Sequence, residues 1–282
     1  MRFLNETVTA CGVEAPLRCY IPDECGKTAY AGRRPAVIVF PGGGYGFTYS
    51  GEAEPIALQY AAEGICAFVL DYACAPVRFP VPQLQAFKTV RWVREHAADF
   101  GIDAGNISTT GFSAGGHLCS CTGTLWNKFA KYFAAEGMDD ADCRVYRPDK
   151  LILCYPVIVS RGPALEKGSF RNLLGERYEN GTLRDLLSTD AQVDADTPPA
   201  FIWHTSEDRG VPIRNSLSFA LALSDLRIPV AVHIYPHGGH GLCLGTCVTN
   251  DCAHAAPHMV AEWIDKAVDF AYDEAVLRRE AR

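Results

Sequence analysis

Ser113 stands at the centre of Gly111-Phe112-Ser113-Ala114-Gly115, directly behind the run Ile107-Ser108-Thr109-Thr110. A serine hydroxyl is a weak nucleophile near neutral pH. To attack an acyl carbonyl it needs a base, a set of N–H donors, and a turn that projects it clear of its own backbone. Glycines two before and two after the serine let a strand and a helix crowd around that turn without Cβ clashes. Gly116-His117-Leu118-Cys119 is suited to open the helix.

The remaining parts of a nucleophilic site follow in chain order. Upstream, Val37-Ile38-Val39-Phe40 runs into Pro41-Gly42-Gly43-Gly44-Tyr45-Gly46. Backbone N–H groups of Gly42, Gly43 and Gly44, joined by that of Ala114, are candidates to bind the negative charge that develops on a carbonyl oxygen. A side chain on the loop would block that oxygen. A phosphate loop fits poorly, because no Gly-Lys-Ser/Thr follows and Phe47 stands where a last glycine belongs. Tyr45 is a candidate to line the acyl pocket, with simple packing as the alternative. Downstream, Phe201-Ile202-Trp203-His204-Thr205 ends in Ser206-Glu207-Asp208. Asp208 is the candidate acid that orients an imidazole, preferred to Glu207 because the chain turns back towards a helix at Arg209-Gly210-Val211-Pro212. Val230-Ala231-Val232-His233-Ile234-Tyr235 ends in Pro236-His237-Gly238-Gly239-His240-Gly241. His240 is the candidate base, since an imidazole titrates near working pH. Its flanking glycines let it swing over the serine. His237 is its rival, whereas His233, His204 and His117 read as packing residues.

Elements that position these groups are legible in the apolar pattern. Strands are predicted over 37–40, 66–70, 107–110, 151–155, 201–205 and 230–235, and helices near 54–63, 83–99, 114–135, 213–226 and 256–275. Leu84, Phe87, Val90 and Val93 recur at helical spacing with Lys88, Arg91 and Arg94 between them. Residues 1–34 read as antiparallel edge strands. Strand–helix alternation implies an α/β domain, with a mainly parallel central sheet and helices on both faces. Every motif falls at a strand's carboxyl end, where such sheets gather ligands. Residues 1–282 read as one domain, with 160–196 a lid-like insertion: a small partial lid over an open cleft and no large cap domain.

Composition narrows the partners. The chain has 282 residues, is 48% hydrophobic and carries a net charge of −7. Its basic residues form no run, so no nucleic-acid partner is expected, and no apolar stretch approaches a membrane span. The N-terminus lacks the regions of a signal peptide, which points to a cytoplasmic protein. Twelve cysteines, several inside apolar runs, read mostly as reduced thiols behaving as small hydrophobes. Cys243, Cys247 and Cys252 with His254 and His258 match no usual zinc spacing, so no metal and no cofactor are expected.

The order glycine loop, Ser, Asp, His is that of α/β-hydrolases rather than of chymotrypsin or subtilisin. Pro41-Gly-Gly-Gly-Tyr45, Gly111-Phe-Ser-Ala-Gly-Gly-His117, His204-Thr-Ser-Glu-Asp208 and Gly238-Gly-His-Gly241 together resemble the esterase branch of that superfamily. The nearest likeness is the bacterial acetylesterase and acetyl-xylan-esterase-like group, some of it xylanase-associated, over residues 34–270. Pro41 departs from the His usual in the hormone-sensitive-lipase and kynurenine formamidase branches. The resemblance implies metal-free hydrolysis of small acyl esters, often O-acetyl groups on sugars. A small-molecule ester is thus the expected partner. Amidase, formamidase or small-peptidase chemistry on the same triad is the alternative, and a non-catalytic binding protein is a further one.

Overall fold

Apolar runs buried on both sides build the sheet that carries every candidate residue. A computed structural model describes residues 1–24, 30–138, 142–250 and 258–277. Its strands are β1 (Arg2–Ala10), β2 (Val13–Ile21), β3 (Arg34–Phe40), β4 (Cys66–Leu70), β5 (Ile102–Phe112), β6 (Lys150–Cys154), β7 (Ala200–Thr205) and β8 (Val230–Tyr235). Its helices are α1 (Glu54–Ala62), α2 (Val81–Glu95), α3 (Ala114–Thr124), α4 (Ala130–Ala135), α5 (Lys167–Leu174), α6 (Gly181–Leu186), α7 (Arg214–Asp225), α8 (His258–Ala261) and α9 (Trp263–Tyr272).

The strands form one sheet in the order β1-β2-β4-β3-β5-β6-β7-β8. β1–β2 and β2–β4 are antiparallel, and the pairings from β4 across to β8 are parallel. β3 shows how the sheet divides the interior. Ala36, Ile38 and Phe40 enter one core with Leu84, Phe87, Val90 and Val93 of α2. Val37 and Val39 enter the other with Trp263, Ile264 and Ala267 of α9. Side chains alternate across a strand, so a run buried on both faces must be apolar throughout.

The structure adds detail to several expectations. The helix predicted over 114–135 is two helices. α3 stops at Thr124, where Lys128 Nζ donates to the Thr124 carbonyl at 2.8 Å as well as to Gln192 O and Asp194 Oδ2. A cation on the last carbonyls ends a helix favourably. His233 is only half-buried, because β8 is the sheet's edge, with Val232 and Ile234 each 38% exposed. Its ring lies 4.9 Å from that of Phe201. Residues 160–196 supply α5 and α6. Glu166 caps α5 by accepting from the N–H groups of Gly168 and Ser169 at 2.7 and 2.8 Å. Phe170, Leu173, Leu174 and Leu187 of this segment join the α2 core, so the segment is anchored in the interior while its upper side borders the cleft.

Candidate active site

β5 ends at Phe112 and α3 begins at Ala114, so Ser113 alone makes the turn, at φ 51° and ψ −117°. That left-handed conformation is strained for a residue with a Cβ. The surroundings hold it. Ser113 N–H donates to Cys154 O at 3.0 Å, and Ser113 O accepts from His117 N–H and Val157 N–H at 3.2 and 2.9 Å. The flanking glycines are required by contact: a Cβ on Gly111 would stand 2.2 Å from Gly115 O, and one on Gly115 2.1 Å from Phe40 O.

His240 comes from the loop after β8 and Asp208 from the loop after β7. His240 Nε2 lies 2.7 Å from Ser113 Oγ, and its Nδ1 lies 2.7 Å from Asp208 Oδ2. Asp208 Oδ2 also meets His204 Nε2 at 3.1 Å, while Oδ1 accepts from the N–H groups of Gly210 and Val211 at 2.8 and 2.9 Å. Burial works against the charge, but hydrogen bonds from His204 and His240 outweigh it and hold this carboxyl well below the usual range. An ionised Asp208 can only accept, so Nδ1 of His240 carries the proton and Nε2 is left to accept from Ser113 O–H. The two rivals sit outside. Glu207 accepts from His237 Nδ1 and Gly238 N–H, both at 3.1 Å, with the Glu207 and His237 side chains 57% and 67% exposed.

The glycine loop divides its N–H groups. That of Gly42 donates to Glu52 Oε2 at 2.7 Å, so it is not available to a substrate. Gly43 and Gly44 border the cleft beside Ser113 and His240. Among the described residues, no protein acceptor takes their N–H groups or that of Ala114, the first residue of α3. At φ 126°, Gly43 lies so close to Phe47 O that a Cβ would approach it to 2.1 Å.

Tyr45 does not line the cleft, which corrects the sequence expectation. Its φ of 57° turns the side chain down into the core, where it is 1% exposed. The phenol donates to His117 Nδ1 at 2.8 Å, and His117 Nε2–H donates to Leu187 O at 2.8 Å. Burial lowers the His117 pKa to about 4, so the ring is neutral. This row ties the glycine loop, the helix behind the serine and the 160–196 segment together. The aromatic groups that do border the cleft are Phe47 and Tyr49, which are 60% and 41% exposed. Ser169 and Asn172 of α5 also line it, and Asn172 Nδ2 steadies the glycine loop by donating to Gly44 O at 2.9 Å. The cleft measures about 340 Å³.

Sequence reasoning missed Glu52, Tyr155 and the His204–Asp208 contact. Glu52 Oε1 accepts from Tyr155 O–H at 2.6 Å, and Tyr155 Oη accepts from Cys243 N–H at 3.0 Å. No local pattern marks Tyr155, whose partners are remote in the chain, or Glu52, which acts through Gly42 and Tyr155. His204 and Asp208 are four residues apart but meet only because the loop after β7 folds back. Of the Cys/His cluster, Cys252, His254 and the side chain of His258 lie outside the described residues. Among those described, no three His, Cys, Asp or Glu side chains converge on a possible metal site.

The parallel sheet and the serine turn at the end of β5, with Asp208 and His240 on the loops after β7 and β8, define an α/β-hydrolase. Comparison with known proteins specifies the branch. The chain belongs to the BD-FAE family, whose model matches residues 26–223. It is 38% identical over 214 residues to endo-1,4-beta-xylanase B of Butyrivibrio fibrisolvens, covering 74% of this chain and 33% of that protein. It is 31% identical over 239 residues to the acetylxylan esterase of Xylanibacter ruminicola, covering 83% and 45% respectively. The chain thus spans less than half the length of these two relatives. Among solved structures, the acetyl ester-xyloside bifunctional hydrolase from Caldicellulosiruptor lactoaceticus is 38% identical with a TM-score of 0.77, over 91% of this chain and 86% of that one. MGS-M1, an alpha/beta hydrolase from a Medee basin deep-sea metagenome, is 30% identical with a TM-score of 0.75, over 98% of both chains.

Proposed function

We propose that the protein is a serine carboxylesterase that removes short acyl groups, acetyl above all, from carbohydrates such as xylo-oligosaccharides. The observation that carries this reading is the continuous row Ser113–His240–Asp208 beside the uncommitted N–H groups of Gly43, Gly44 and Ala114. As Ser113 Oγ attacks the acyl carbon, His240 Nε2 takes its proton. Asp208 steadies the imidazolium. The carbonyl oxygen becomes an oxyanion held by the three N–H groups. Collapse of the tetrahedral intermediate expels the alcohol, which takes its proton from His240, and leaves an acyl-serine. Water, deprotonated by His240, then releases the acid and restores Ser113.

The carbohydrate part rests on two supports. Relatives bearing xylan-ester and xyloside names share most of this chain. The exposed rings of Phe47 and Tyr49 line the cleft together with the polar Ser169 and Asn172, which suits a ring with apolar faces and a hydroxyl-bearing edge. The test is initial rates on p-nitrophenyl acetate, butyrate and octanoate, then on acetylated xylo-oligosaccharides, with Ser113→Ala alongside. The expected result is turnover that falls with acyl length and drops by at least about 10⁴-fold in Ser113→Ala. Serine-independent turnover, or hydrolysis of amides without esters, would sink the reading.

A further inference from the structure

Glu52 is 2% exposed, on the short turn Ser50–Glu52 that follows the glycine loop. A buried carboxylate is costly unless it is hydrogen-bonded and paired with a positive charge. Glu52 has the hydrogen bonds, from Gly42 N–H at 2.7 Å and Tyr155 O–H at 2.6 Å. It lacks the charge: among the described residues no Lys or Arg forms an ion pair with it. The titratable groups around it are Tyr155 and Cys154 at the end of β6, Tyr72 after β4, and Cys243 and His240 from the last loop. Burial pushes the first four upward, which keeps them neutral. His240 is the one group of this set that can become a cation. It borders the same cleft as Glu52, and its ring lies 5.1 Å from that of Tyr155.

We propose that Glu52 is a positioning residue of this site, whose buried negative charge favours the imidazolium of His240 while its two hydrogen bonds lock the glycine loop to the histidine loop. The proposal rests on the serine–histidine reading given above. The mechanical part follows from connectivity. Gly42 N–H, Glu52, Tyr155 and Cys243 N–H form one row, so the loop bearing Gly43 and Gly44 is tied to the chain three residues beyond His240. The electrostatic part explains why an acid stands here. A buckle alone needs no charge, whereas an unpaired buried carboxylate is stabilised most when a cation forms beside it. Its Oε2 accepts from Gly42 N–H, so that oxygen meets the glycine loop through a hydrogen bond rather than as bare charge. The charged and titratable groups that border a cleft together with His240 are Glu52 and Glu166 on one side and Asp208, Glu207 and Arg209 on the other, with the Tyr155 ring 5.1 Å away. Glu207 is exposed and Glu166 caps α5, so Asp208 and Glu52 are the enclosed carboxylates of this set.

The experiment is the pH dependence of kcat/KM on p-nitrophenyl acetate for the full chain, Glu52→Gln and Glu52→Asp. Loss of the charge should make the imidazolium less favourable. In Glu52→Gln the acid limb of the profile should therefore move down by about one pH unit, and kcat should fall roughly tenfold with little change in KM. Glu52→Asp keeps the charge, so its limb should stay near that of the parent even where its rate is lower. A glutamine variant that is slower at every pH with an unmoved limb would reduce Glu52 to a structural brace and overturn the proposal. If Glu52→Gln does not fold, Glu52→Met, uncharged and of nearly the same length, gives the same readout: its limb should also move down, and an unmoved limb overturns the proposal there too. Absence of serine-dependent turnover in the parent would remove the esterase reading and this proposal together, an outcome distinct from an unmoved limb in an active enzyme.

Discussion

The two carboxylates after β7 and the two imidazoles after β8 pair twice, once outward and once inward. On the outer side, Glu207 meets His237 in solvent. On the inner side, Asp208 meets His240 with the Asp208 side chain fully enclosed. Residue chemistry is nearly the same in the two pairs, and the sequence ranks the inner pair first only on its flanking glycines and turn. Surroundings separate them. Glu207 has two donors, His237 and Gly238 N–H, and water for the rest. Asp208 has four donors and no water to fall back on. The exposed pair is screened and costs little to break. The enclosed pair fixes the tautomer of an imidazole that already touches Ser113. A carboxylate–histidine pair becomes useful for catalysis when the fold supplies enough donors to keep the acid ionised out of water.

Substitutions can break or sharpen this contrast. The largest effect is expected from Asp208→Asn, which should lower kcat by about 10⁴-fold, because an amide no longer dictates which nitrogen of His240 bears the proton. Steady-state rates at saturating ester measure it, and a loss below about tenfold would contradict the inner pair.

A third imidazole, His117, is enclosed without any carboxylate, and its pKa falls to about 4 from the ordinary 6.5. The unfolded chain therefore binds a proton in this window that the folded chain does not. Stability from this group is complete above pH 6.5 and is lost as pH falls towards 4. Between pH 7 and pH 5 the loss should be about 2 kcal/mol. His117→Gln should show a correspondingly shallower decline in urea-unfolding free energy over that interval, and equal slopes would mean that the ring is not held neutral.

His204 donates to Asp208 and not to the reacting atoms. His204→Gln should cost roughly tenfold in kcat, with KM nearly constant. An effect as large as that of Asp208→Asn would show that Asp208 depends on this one donor. The smallest effect is reserved for the outer pair: Glu207→Gln should leave kcat/KM within about twofold, and a loss matching that of Asp208→Asn would exchange the roles of the two acids.

Much of this was readable before any coordinates. Strand positions followed from short apolar runs, and the serine turn from the spacing of Gly111 and Gly115, because both are local effects of sterics and burial. The unread parts depend on direction and distance. Nothing in Gly44-Tyr45-Gly46 says that a positive φ sends the phenol downward to His117 instead of into the cleft. Gly42 is indistinguishable from Gly43 in sequence, yet its N–H is already bound to a carboxylate ten residues on. His204 sits in an apolar strand and reads as packing until the loop after β7 folds back and sets Asp208 against it. Lys128 ended a helix early through a partner more than sixty residues away.

Two of the donors on Asp208 are main-chain N–H groups, of Gly210 and Val211. A codon change at position 211 rewrites a side chain that borders the cleft but leaves its N–H in place, proline excepted. Descent can thus try new shapes against the substrate there without touching the ionisation of the acid three residues earlier. Innovation and inheritance are written on different atoms of one residue.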